Sequence, residues 1–146
     1  MSSITSTLST SPSGGLASTP WLRRALWIDV LFSGVAGVAM LADRALLATV
    51  LGLPAALLTG AALVSLVWAA ALGTLARRAT MPRALLWTVV LGNVAWVAVS
   101  VALLAVDWVR PTGLGTVFMV AQAIAVAVFA DLQWWAMRRA EVPARR

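Results

Sequence analysis

The sequence predicts an all-α polytopic membrane protein, a bundle of four transmembrane helices arranged as two tandem hairpins. Three observations carry that prediction. Of 146 residues, 62% are apolar and 11% charged, which no water-soluble domain of this size could bury. The apolar residues fall into four runs, each close to the ~20 residues a helix needs to cross about 30 Å of hydrocarbon. The arginines gather where those runs end, most conspicuously at Arg77, Arg78 and Arg83 between the second and third. Four runs with short connections leave no room for a further domain.

Residues 1–22 are rich in Ser, Thr, Gly and Pro and predict a disordered cytoplasmic tail ahead of a transmembrane domain over 23–139. The first span, about 25–42, is interrupted only by Asp29. That acid, the long upstream tail and the lack of an A-x-A site predict a retained helix and not a signal peptide. Apolar residues then continue from Ala45 to Ala76, too long for one crossing at about 1.5 Å per residue. The break falls at Gly52-Leu53-Pro54, since proline suits a helix start and restricts the residue before it. The second span is therefore 54–76, and Leu46 to Leu53 lies along the outer interface or dips in partially. Thr80 and Pro82 precede the third span, 84–106, and Pro111-Thr112-Gly113 the fourth, 114–137, leaving 140–146 as a basic tail.

Arg23, Arg24, Arg77, Arg78, Arg83, Arg138, Arg139, Arg145 and Arg146 fall on one side of this layout, Arg44 and Arg110 on the other. The asymmetry predicts cytoplasmic termini. Trp21, Trp27, Trp87, Trp134 and Trp135 sit at the same boundary as the nine, and Trp108 at the opposite one, as interfacial indoles do. The halves also echo each other: Leu26-Trp27 corresponds to Leu86-Trp87, and Arg77-Arg78 to Arg138-Arg139. Such a repeat places hairpins in one orientation about an axis along the membrane normal.

The net charge of +6 does not point to nucleic acid, because the arginines cap apolar runs and form no basic face. Cysteine, histidine and tyrosine are absent, which removes disulfides, thiolate nucleophiles, Ser-His and Cys-His arrangements and the usual haem ligand. No cofactor or metal is expected; two Asp with Gln would hold a cation weakly. The expected partners are the lipid bilayer and a second copy or another membrane protein.

Polar residues inside the spans face the bundle, because in lipid they need partners. Asp29, Ser33 and Gly37 form one stripe of the first span; Ser65, Ala69 and Gly73 form another in the second. Asn93, Trp96 and Ser100 share a face of the third, and Gln122 and Gln133 a face of the fourth, where Asp131 shares its own face with Trp135 and Arg138. The candidate intramembrane polar site is thus Asp29, Ser33, Asn93, Gln122, Asp131 and Gln133. Asp29 and Asp131 lie about 6 and 9 Å inside the cytoplasmic ends of their helices, nearly one depth. Either each carboxylate pairs with a rim arginine, Arg23 or Arg24 for one and Arg138 for the other, or the two approach each other and share a proton.

Leu26-Trp27-Ile28-Asp29, Gly52-Leu53-Pro54, Asn93-Val94-Ala95-Trp96, Pro111-Thr112-Gly113-Leu114-Gly115 and Phe129-Ala130-Asp131-Leu132-Gln133 together resemble an uncharacterised family of small bacterial four-helix membrane proteins, over roughly residues 24–139. That resemblance implies an inner-membrane location and no particular activity. The Leu-Gly-Leu-Pro step with the following Ala-Ala-Leu-Leu-Thr-Gly is also similar to DoxX-type proteins, which implies a quinone-linked or redox partner. Ser65 stands near the position where an acidic residue is expected in that group. Three functions follow in order: a non-enzymatic binding or assembly role, a small proton- or cation-coupled transporter using Asp29 and Asp131, and a quinone-linked accessory subunit.

Overall fold

A computed structural model of the chain describes residues 15–106 and 108–141. In chain order they form strand β1 (Gly15–Ala17), helix α1 (Pro20–Ala42), a short helix α2 (Arg44–Leu51), α3 (Ala55–Ala76), strand β2 (Thr80–Pro82), α4 (Arg83–Ala105) and α5 (Gly113–Glu141). Four of these helices, all but α2, are long and apolar enough to cross a membrane. The protein is an all-α, multi-pass membrane bundle.

Each boundary has a local cause. Thr19 caps α1 by accepting from the Leu22 amide at 3.3 Å, and Pro20, with no amide hydrogen to satisfy, opens the first turn. Asp43 ends α1 and caps α2, accepting from the Leu46 amide at 3.3 Å. Gly52 stops α2 in the left-handed region, φ 65°, where a side chain is disfavoured. Pro54 then starts α3.

Two corrections to the sequence reading concern the ends. Of the stretch expected to be a tail, residues 15–22 are built into the fold: β1 pairs antiparallel with β2, Leu16 opposite Met81, and α1 begins at Pro20, five residues before the predicted start. Composition does not reveal this, because the pairing is made by backbone groups, and the Thr19 cap and Pro20 start α1 ahead of the apolar run. The segment 80–82, read as a helix start, is the partner strand. Residues 1–14, and Arg145 and Arg146 of the basic tail, lie outside the described residues. The stretch between the first two spans folds as α2, whose Leu51 is buried.

The helices pack as two hairpins, α1 on α3 and α4 on α5, joined along a seam between α1 and α5. Gly37 makes the α1–α3 approach close: a Cβ there would stand 3.0 Å from the Ala62 carbonyl oxygen. The backbones of α3 and α4 do not meet in this way; at Gly92 the Trp68 indole lies where a side chain would go. One apolar cluster, including Leu22, Leu26, Leu72, Leu75, Met81, Leu86 and Met137, closes the end of the bundle that carries Arg23, Arg24, Arg77, Arg78, Arg83, Arg138 and Arg139. A second, with Met40, Leu51, Leu53, Leu58, Val109 and Met119, closes the end near Arg44 and Arg110.

That second end is latched. Thr112 donates its amide to Leu51 O at 2.9 Å and its hydroxyl to Val50 O at 2.7 Å, and its oxygen accepts from the Gly115 amide at 3.0 Å. Gly115 lies so close to the Leu51 carbonyl that a Cβ would overlap it. The Gly-Leu-Pro and Pro-Thr-Gly-Leu-Gly stretches are therefore two halves of one contact.

Candidate functional site: a polar cavity between two hydrogen-bonded layers

Asp29 lies in α1 with 1% of its surface exposed, although its helix is apolar almost all round. Its carboxylate is held from three directions. Ser33, one turn on, donates to Oδ1 at 3.0 Å; Asn93 of α4 donates to Oδ2 at 2.8 Å; Gln133 of α5 donates to the same oxygen at 2.7 Å. Asn93 Nδ2 spends its other hydrogen on Gln133 Oε1 at 3.0 Å. Three side chains, all neutral, thus reach its two oxygens. This layer ties three helices together.

Gln122 precedes Gln133 by eleven residues, about three turns, and so shares its face about 16 Å along α5. It anchors a second layer, accepting from Trp96 Nε1 at 3.4 Å and facing Ser100 Oγ at 3.5 Å, while Ser100 donates to Trp96 O at 2.9 Å. The α4 face Asn93–Trp96–Ser100 serves both layers.

Between the layers is a cavity of about 150 Å³ walled by all four long helices. Ser33, Ser65, Asn93 and Gln122 supply its polar wall; Phe32, Trp68 and Trp96 supply aromatic faces. Trp68 Nε1 is buried and has no hydrogen-bond partner within the protein among the described residues. An apolar cleft of about 290 Å³ adjoins it between α3 on one side and α4 and α5 on the other, sharing Met40, Val64, Trp96 and Gln122 with the cavity. The cleft occupies the side on which α3 and α4 are not packed backbone to backbone.

The structure thus gathers Asp29, Ser33, Asn93, Gln122 and Gln133 around one region, and leaves Asp131 out. Asp131 is exposed, in an outer groove with Val90, Val94, Val97 and Trp134. The reason is angular: Gln133 faces Asp29, and two residues of helix turn the side chain by about 200°. Equal depth therefore did not bring the two acids together. The expected arginine pairing of Asp29 is also replaced, since Arg23 donates to Ser18 Oγ at 3.0 Å and Arg24 lies 5.4 Å from the Trp21 ring. Arg138, expected to pair with Asp131, stacks over Trp134 at 4.5 Å.

Trp68 and Gly92 are not among the residues expected at the site, and Ser65 is expected in a packing stripe and near the acidic position of DoxX-type proteins. A glycine beside Asn93 was the available signal, because small residues mark close approach; nothing in the apolar surroundings of Trp68 marked it. Among the described residues no cluster of three or more acids, histidines or cysteines comes together to hold a metal. Fold and site together define a four-helix membrane bundle with an internal polar cavity. No family model, curated protein or solved structure matches this chain.

Proposed function

We propose that the protein is a non-enzymatic membrane binding protein whose ligand is an amphipathic, membrane-dissolved molecule. The observation that carries this is the junction of the polar cavity with the apolar cleft between α3 and α4. A cavity of about 150 Å³ accepts a group of roughly benzene size. The adjoining cleft, open on the loosely packed side, suits a hydrocarbon tail arriving from the bilayer. The basic end of the bundle faces the cytoplasm of a bacterial inner membrane in this reading. Its support is the arginine asymmetry together with indole-stacked arginines there, Arg77 6.0 Å from the Trp27 ring and Arg139 4.0 Å from that of Trp135.

The test is quenching of tryptophan fluorescence by an 11-bromo-undecyl alcohol in maltoside micelles, because Trp68 and Trp96 line the cavity. Saturable quenching that disappears in Ser65→Phe, which fills the cavity, is expected. Quenching that rises without saturation, or is equal in Ser65→Phe, rejects the reading. A quinone-linked role has one observation in its favour: Trp68 Nε1–H is a buried donor that a ring carbonyl would satisfy.

A further inference from the structure

Resting on that reading of the cavity, we infer that its occupant carries a single positive charge: a lipophilic ammonium ion whose head lies beside Ser33 and Asn93, within the field of Asp29.

Hydrogen-bond accounting on the Asp29 side of the wall comes first. Ser33 gives its only hydrogen to Asp29 Oδ1, and Asn93 gives one amide hydrogen to Asp29 Oδ2 and the other to Gln133 Oε1. Both residues line the cavity, and oxygen lone pairs are what they have left to offer. This side of the wall, its donors spent on the carboxyl behind it, suits a donor or a cation in front, while the Trp68 indole N–H, unpartnered among the described residues, lies on α3.

Charge balance points the same way. Asp29 has hydrogen-bond partners on both oxygens, and all of them are neutral side chains. The arginines that might have balanced it are engaged at the rim: Arg23 with Ser18, and Arg24, Arg77, Arg138 and Arg139 each over an indole. A buried carboxyl with only neutral partners is a favourable neighbour for a cation where water is scarce, because an opposite charge nearby favours its charged form. The remaining walls favour one as well, since the aromatic rings of Phe32, Trp68 and Trp96 border the same space. Size sets the head: a benzene-sized cavity fits a trimethylammonium or smaller ammonium, with its chain in the cleft.

Two probes of one shape separate charge from fit: decyltrimethylammonium and the neutral hydrocarbon in which a tert-butyl group replaces its head. Affinities are measured by calorimetry in maltoside micelles for the wild type, Asp29→Asn and Asp131→Asn. The cation is expected to bind the wild type about tenfold or more tightly than the isostere. That preference should vanish in Asp29→Asn and persist in Asp131→Asn. If Asp29→Asn does not fold, the wild-type ratio together with Asp131→Asn decides. Equal binding of both probes, or a preference that survives loss of Asp29 or disappears with loss of Asp131, overturns the inference while leaving the cavity as a binding site. Failure of both probes to bind a folded wild type overturns the cavity reading beneath it.

Discussion

At the scale of single residues, Asp29 decides how the interior is organised. Removing its carboxylate strands the Asn93 and Gln133 amides, which are almost fully buried, and each such orphan costs about 1–3 kcal/mol. Asp29→Ala should therefore lower stability by about 2–4 kcal/mol, read from denaturant titration in micelles, while Asp131→Ala, an exposed side chain, should change it by less than about 0.5 kcal/mol. A double-mutant cycle of Asp29→Asn with Gln133→Leu should show a coupling of about 1 kcal/mol or more, whereas Asp29→Asn with Asp131→Asn should be additive within about 0.5 kcal/mol. Strong coupling of the two acids would reinstate the shared-proton arrangement. Asp29 stands out in the sequence because an acid in an apolar run must find partners. Which partners it finds does not, since spacing fixes the face of one helix but not the rotation of its neighbours about their axes. That rotation brings Gln133, and not Asp131, to the seam.

Elements here are joined by contacts that exclude side chains. Gly115 against the Leu51 carbonyl is the sharpest case, and Gly115→Ala should cost about 2 kcal/mol or more, because a backbone carbonyl cannot rotate away as a side chain can. Gly60 and Gly73, with open space around their missing Cβ atoms, provide controls: alanine at either should be neutral or stabilising by up to about 1 kcal/mol. Thermal unfolding of the three variants, followed by circular dichroism, checks the contrast; equal effects at Gly115 and Gly60 would mean the latch is not formed. The four long helices were legible in the sequence because apolar length alone sets a crossing. The latch and the β1–β2 pair were not, since each depends on backbone groups meeting partners far along the chain, and α2 was not, since its eight residues are too few to stand out as a helix beside the apolar run they enter. The Gly-Leu-Pro and Pro-Thr-Gly-Leu-Gly stretches were visible as patterns, yet only the fold makes them one contact, through Thr112 to Val50 and Leu51.

For the whole molecule, chain direction alternates from one long helix to the next, and the arginine-rich ends meet at the β1–β2 end of the bundle. Reporter fusions at residue 146 and in the connection near Trp108 should place the first in the cytoplasm and the second outside; a periplasm-active reporter at residue 146 would reverse the orientation. The sequence carries this polarity in its arginines, but not the cavity, because a space walled by four helices depends on where α3 and α4 fail to pack. Ser65 tests that space most directly. In a chain without native cysteine, Ser65→Cys should react with a small methanethiosulfonate in maltoside micelles and be protected by saturating undecyl alcohol, while Ala62→Cys, fully buried one turn earlier on α3, should stay inert. A Ser65→Cys thiol as unreactive as that at position 62, or one whose labelling the alcohol leaves unchanged, would contradict a ligand seat between the two polar layers.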